Sequence, residues 1–424
     1  MGSQLTRGQF LRLVLGASAC LTSDLRAALP ESIVAGPADG QSTSPNLGSA
    51  EARISRVISA YDSQGIHRTG TDTDAASAQW LAEQARQAGA TTTLEAFSLD
   101  RVDVRAAYVE SDGRRIEGLP FFDGTFTDDR GLIGTLGAPD GRRPFALVTL
   151  NAAAIGTEGQ SLDDIRRADR FKAIIAVTQG AHAGLSPSNA RMFTSPYGVP
   201  VLQVGSEEAA WLEQRIQQQL EVRFVAHATR IRGQASNVVA SVAGRQPELA
   251  PIVVMTPRSG WWQCAGERGG GIACWLEIMR AAAATSRRPV TFVASSGHEL
   301  GHLGLDAFID RRPGLIKTAA AWIHLGANIG AAGGGARLQA SDDQIEGIAN
   351  AALIKAAASV QQRVPRGTVP GGEARNIHVG GGRYISLLGS SPFFHSPADR
   401  WPTAVDTAAV ARFAAAFADI ALQL

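Results

Sequence analysis

The chain has 424 residues, 45% hydrophobic and 19% charged, which excludes a disordered tail, a collagen-like fibre and a disulfide-stapled miniprotein. Forty basic against thirty-nine acidic residues leave a net charge of +1, so no general field draws the chain to nucleic acid or to an anionic membrane. No apolar run approaches the ~18 residues that a membrane-crossing helix needs, so no transmembrane span is expected.

At the N-terminus, Arg7 and Arg12 precede a short apolar run that ends in Ala17, Ser18 and Ala19. This is the order of an export signal, and residues 1–28 are read as one. The string resembles a twin-arginine signal in which Gly8 stands where the second arginine belongs. It implies a periplasmic or extracellular protein, and Cys20 after Ala19 offers a site for a lipid anchor. Residues 29–50 are rich in Pro, Gly, Ser and Ala and read as a linker.

Ile54, Val57, Ile58 and Tyr61 fall at helical spacing and open the folded part. A second helix is expected from about Asp74 to Ala88, with Asp72 or Asp74 as N-cap and Gly89 as the stop. The loop between them, residues 65–74, is polar, and its His67 is expected at the surface, as is His182. Residues 101–235 carry short β-branched runs at 145–150, 172–179 and 199–205, bounded by turn residues. They read as a small β-rich module inserted into the chain. From Asn237 strands alternate with helices. Runs at 237–244, 251–256, 289–296 and 319–326 are strands, and helices follow at 271–284, 342–360 and 406–424. The pattern predicts an α/β architecture, helices sandwiching a mainly parallel sheet, with ligands beyond the carboxyl ends of the strands. Chemistry is therefore expected just after residues 256, 296 and 326.

Four of the eight histidines, His298, His302, His324 and His395, lie at or near such ends. His298-Glu299-Leu300-Gly301-His302 fits the HExxH spacing that binds zinc on one helix face. Its place at a strand end, and the helix-weakening Gly301 and Gly304, argue against that geometry. Cys264 and Cys274 either pair in an oxidising compartment or stand as separate thiols.

Three segments carry a wider resemblance: AGERGGGIACWLEIMR at 265–280, SSGHELGHLGLDAF at 295–308 and FFHSPADRWPTAVD at 393–406. In order and spacing, residues 51–100 and 236–424 resemble the zinc-dependent exopeptidases that include bacterial aminopeptidases, glutamate carboxypeptidase and the transferrin receptor. The insertion at 101–235 resembles their protease-associated domain. The resemblance implies an aminopeptidase-type hydrolase acting on peptides, with zinc ions that activate a bridging water. By position, Glu267 stands at the bridging aspartate, Glu299 at a metal-ligand glutamate and His395 at the C-terminal histidine ligand. Pro257 and Ser259 replace a histidine and an aspartate, and His298 replaces the general-base glutamate. Gly326 falls at a further aspartate position, with His324 two residues before it.

Two readings follow. In one, Glu267, Glu299 and His395 hold a single zinc, His298 is the base, His324 is an auxiliary ligand, and Trp261 and Trp262 form a substrate pocket. In the other, the fold is kept without chemistry, Arg258 or Arg268 neutralises the glutamates, and the protein binds a peptide or protein partner.

Overall fold

The computed structural model describes residues 49–151 and 158–424. The signal-like segment, Cys20 and nearly all of the linker lie outside the described residues. Helix α1 (Ala50–Asp62) starts at Ser49, whose side chain accepts from the Ala52 amide. Helix α2 (Asp72–Gln87) is capped by Thr71, one residue before the expected aspartate, and stops at Gly89 with φ 94°. A threonine hydroxyl satisfies an orphan amide of the first turn as a carboxylate would.

Two strands much longer than any run in the sequence suggested, β1 (Thr91–Ser111) and β8 (Glu221–Val242), pair antiparallel from Thr91↔Ser241 to Glu110↔Arg223. Between them lie β2 (Arg114–Glu117), β3 (Leu119–Pro120), β4 (Leu132–Gly137), β5 (Phe145–Asn151), α3 (Glu158–Arg167), β6 (Ala173–Gln179), β7 (Val201–Val204) and α4 (Ala209–Gln217). After β8 come β9 (Ile252–Pro257), α5 (Gly270–Thr285), β10 (Val290–Ser295), α6 (Leu303–Asp310), α7 (Leu315–Thr318), β11 (Ala321–Leu325) and β12 (Ala336–Ala340). The chain closes with α8 (Asp343–Lys355), β13 (Gln362–Arg363), α9 (Ala374–Val379), β14 (Tyr384–Gly389) and α10 (Thr407–Gln423).

Strands run in the order β13-β12-β14-β11-β9-β10-β8, and β14, β11, β9 and β10 are mutually parallel. Their carboxyl ends therefore share one edge, the place where side chains of this architecture meet ligands. The central strands are buried throughout, as their unbroken apolar runs require when both faces are covered. One face packs on α1, α2, α5, α8 and α10 through Ile58, Leu81, Ile272, Ile345 and Phe417. The other packs on α6 and α9 through Leu305, Phe308 and Ile377.

The outer part of β8 carries the order on through β4-β5-β6-β7-β3, with its own apolar clusters around Val109, Ile175 and Phe224 and around Ile174 and Leu162. A further cluster, with Phe97, Phe122, Phe193, Trp261 and Leu300, joins this region to the strand-end edge. No helix of the described residues is long and apolar enough to cross a membrane.

Candidate functional site

The carboxyl end of β9 turns at Pro257 into a buried segment, and each side chain there is committed to the protein. Arg258 donates to the Asp74 carboxylate at 2.8 Å and to the carbonyls of Asp74 and Ser236 at 2.9 and 2.6 Å. Its charge therefore answers Asp74, not the glutamates. Ser259 donates to Glu299 Oε2 at 2.7 Å and accepts from the Gly297 amide at 2.9 Å.

Glu299 leaves the end of β10 in a single tight turn, His298–Leu300. Its other oxygen, Oε1, accepts from the amide and the hydroxyl of Thr69 at 2.8 and 2.7 Å. Burial pushes this carboxyl up, and those three donors restrain the shift. Both oxygens thus accept from neutral donors, the Thr69 amide and hydroxyl on one and the Ser259 hydroxyl on the other.

Glu267 sits in a wide turn, Ala265–Gly269, that leads into α5. Asp399 ties this turn down, its carboxylate accepting from the amides of Gly266 and Glu267 at 2.6 and 2.9 Å. Arg268 folds back over it. Its Nη2 lies 2.7 Å from Glu267 Oε1, its Nε donates to the Ser259 carbonyl at 2.7 Å, and both side chains are 1% exposed. Burial pushes the Glu267 carboxyl up, but Arg268 and His395 outweigh it and hold it down at about 2. For Asp399 burial and the neighbouring Glu267 prevail, raising it to about 7.

His395 adopts a left-handed backbone, φ 55°, and points its Nδ1 at the Pro187 carbonyl, 2.6 Å away. A carbonyl only accepts, so Nδ1 carries the hydrogen. Nε2 has no hydrogen-bond partner and lies 3.5 Å from Glu267 Oε1.

Of the four residues expected to hold zinc, Glu267 and His395 come together, at 3.5 Å between Oε1 and Nε2. Among the described residues, the one group of three or more such side chains with ligand atoms within 4.8 Å of one another is Cys264, Glu267 and Asp399. Glu299 belongs to the Thr69–Ser259 network, and His324 lies elsewhere. A guanidinium already supplies the positive charge that Glu267 requires. Cys264 and Cys274 are separate buried thiols.

Three histidines open instead on a cleft of about 850 Å³ at the strand-end edge, lined in part by His298, His302 and His324. Glu267, Glu299 and His395 do not line it. His298 and His302 are not on one helix face. His302 has φ 70°, α6 begins after it, and the two rings stack with centroids 4.9 Å apart while Glu299 points the other way. His298 Nδ1 lies 3.4 Å from Glu373 Oε1, which also accepts from Ser295 at 2.6 Å. Burial holds both His298 and His324 well down, the latter at about 3, so both rings are neutral at pH 7. His324 Nδ1 meets the Ser386 hydroxyl at 2.8 Å, and its Nε2 has no partner.

Neither tryptophan lines the cleft. Trp261 is fully buried, donates to Asn189 Oδ1 at 2.9 Å and meets Phe122 edge-on at 5.2 Å. Trp262, half-buried, donates to the His395 carbonyl at 2.9 Å. Both pack against the apolar clusters, outside the cleft. His67, expected at the surface, is buried against Tyr61 at 3.8 Å, and burial holds it at about 3. His182 is half-buried, stacked on Phe393 at 4.4 Å.

Thr69 and Glu373 escaped the sequence reading, and Asp74 entered it only as a helix cap, not as the partner of Arg258. Thr69 and Asp74 lie in or beside a polar loop that carries no motif, and Glu373 lies in a glycine-rich loop away from any strand end. Asp399 stands in the HSPAD string and was legible there, but without a role.

This layout is the fold of the zinc aminopeptidases. A zinc aminopeptidase from Bacillus subtilis superposes with a TM-score of 0.72 at 17% identity, covering 88% of this chain and 94% of its own. A peptidase M28 precursor from Shewanella amazonensis gives 0.73 at 14% identity, covering 88% and 93%. An aminopeptidase from Aneurinibacillus sp. strain AM-1 gives 0.65 at 13%, again covering 88% and 93%. No protein-family model matches the sequence, and no curated protein does.

Proposed function

We propose that the chain is a peptide-binding protein built on the zinc-aminopeptidase fold, with the guanidinium of Arg268 standing where a catalytic cation would be needed. The observation that carries this reading is the buried Arg268–Glu267 pair at 2.7 Å, anchored on the Ser259 carbonyl. A divalent cation beside that arginine would face a fixed positive charge in a dry site, where repulsion is poorly screened. Pro257 removes one donor, and hydroxyls occupy Glu299. The cleft, the strand-end edge and the fold remain, and these suit a peptide ligand. On the same reading, residues 101–235 are a protease-associated-like module, supported by their separate apolar clusters. Residues 1–28 are proposed to direct export.

One observation favours a second reading, a peptidase with a single zinc. The unpartnered His395 Nε2 lies 3.5 Å from Glu267, within a region that also holds Cys264 and Asp399. The two are separated by assaying the zinc-equilibrated chain on aminoacyl-4-nitroanilides and, in parallel, measuring peptide binding with and without EDTA. The binding reading expects no metal-dependent turnover and EDTA-insensitive binding. Turnover that EDTA abolishes and His395→Ala removes would establish the peptidase instead.

A further inference from the structure

The cleft at the strand-end edge is strongly one-sided in charge. Arg191, Arg337 and Arg375 line it together with the three histidines, and no aspartate or glutamate does. All three arginines are exposed, and none has an ion pair or side-chain hydrogen bond among the described residues. Elsewhere in the molecule arginines answer carboxylates, as Arg53 answers Glu277 and Arg312 answers Glu95. Three unanswered guanidiniums around one concavity of about 850 Å³ focus a positive potential in a chain whose net charge is only +1.

The floor adds a second requirement. Asn328 is 5% exposed and lines the cleft, and its Nδ2 points at the Gly389 carbonyl at 3.4 Å. That contact orients the amide, so Oδ1 is the buried acceptor left without a partner. A buried orphan acceptor is costly unless a ligand donor meets it. The cleft therefore calls for a ligand with oxyanions at its rim and an N–H at its floor.

We propose that this cleft binds an acidic peptide, with carboxylates on Arg191, Arg337 and Arg375 and a backbone N–H on Asn328. This proposal rests on the binding reading above and names its ligand class. Guanidinium and carboxylate pair in a planar fork. Phosphate would satisfy the arginines equally well, but inorganic phosphate brings no N–H to Asn328; an oligonucleotide, whose bases carry N–H donors, is the competing ligand that the test includes.

The test is fluorescence polarisation on the full chain in EDTA, with labelled tetraglutamate, labelled tetraglutamine and a labelled single-stranded oligonucleotide. Tetraglutamate is expected to bind at least about tenfold more tightly than either of the others, and to weaken as salt rises. Arg337→Ala and Arg375→Ala should each weaken it about tenfold. Asn328→Asp, which sets a carboxylate at the floor, should abolish it. Unchanged thermal melts of the exposed arginine variants would show that folding is not the cause. Equal binding of the two peptides would overturn the acidic preference and leave the binding reading standing. No peptide binding at all would overturn both, and tighter oligonucleotide binding lost in the arginine variants would overturn the peptide assignment.

Discussion

A carboxylate in a dry interior must find a countercharge or several donors, and the two glutamates of this site find different ones. Glu267 takes Arg268, and Glu299 takes the hydroxyls of Thr69 and Ser259 with the Thr69 amide. Replacing Arg268 by methionine would leave Glu267 charged and unpaired, which costs about 3–5 kcal/mol. The Arg268→Met, Glu267→Leu double variant should recover most of that loss, read from denaturant midpoints. If Arg268→Met alone costs less than about 1 kcal/mol, the pair is not what holds the turn. A second test at this scale concerns His67, held at about 3 by burial. The unfolded chain, with an ordinary histidine near 6.5, binds a proton that the folded chain refuses, so stability falls as pH drops from 6.5 toward 3. In His67→Gln that contribution vanishes, and the stability–pH slope in this window should flatten by up to about 1.4 kcal/mol per pH unit. Identical slopes would mean that His67 is accessible to protons in the folded state. Arg268 as a neutraliser of glutamate was legible from its place beside Glu267. The clamp on Glu299 was not, because its Thr69 lies 230 residues away.

Elements whose signal is local were legible. The stripe of Val410, Phe413, Phe417 and Ile420 sets α10, and the unbroken apolar runs set β9, β10 and β11. The HExxH string shows the limit of such reading. Its spacing suits a helix, but Gly297 at φ 82°, Gly301 at φ 88° and His302 at φ 70° hold the segment in left-handed backbone, and no helix forms across it. Strands β1 and β8 were hidden because each spans two layers and changes its buried face on the way, with a register shift near Val104. At the start of α5 the glycines are required by contact. A Cβ on Gly270 would lie 1.9 Å from the Ile329 carbonyl oxygen. Gly270→Ala should therefore destabilise by about 1–3 kcal/mol. Gly347→Ala, on the exposed face of α8 with nothing within 4 Å, should stabilise by about 0.5–1 kcal/mol. Thermal melts of the two variants should move in opposite directions. Stabilisation of both would mean that helix propensity, not the Ile329 contact, governs the Gly270 site.

At the scale of the molecule, one edge of the sheet gathers two environments that the sequence placed together. The strand-end expectation located both, since Ser259 and His298 follow two of the strands named for it and His324 stands at the end of the third, within β11. What the sequence could not separate is the buried carboxylate network from the open, histidine- and arginine-lined cleft. That division depends on where side chains point after residues from β9, β10, β11 and the 65–74 loop converge. As proposed above, the fold keeps its cleft and holds the Arg268 guanidinium where a cation would be needed. Zinc per chain decides this, read by elemental mass spectrometry after equilibration with zinc and extensive dialysis, on the wild type and on His395→Ala. A value near zero is expected for both proteins. A stoichiometry near one in the wild type, lost in His395→Ala, would contradict it and place a metal beside Glu267.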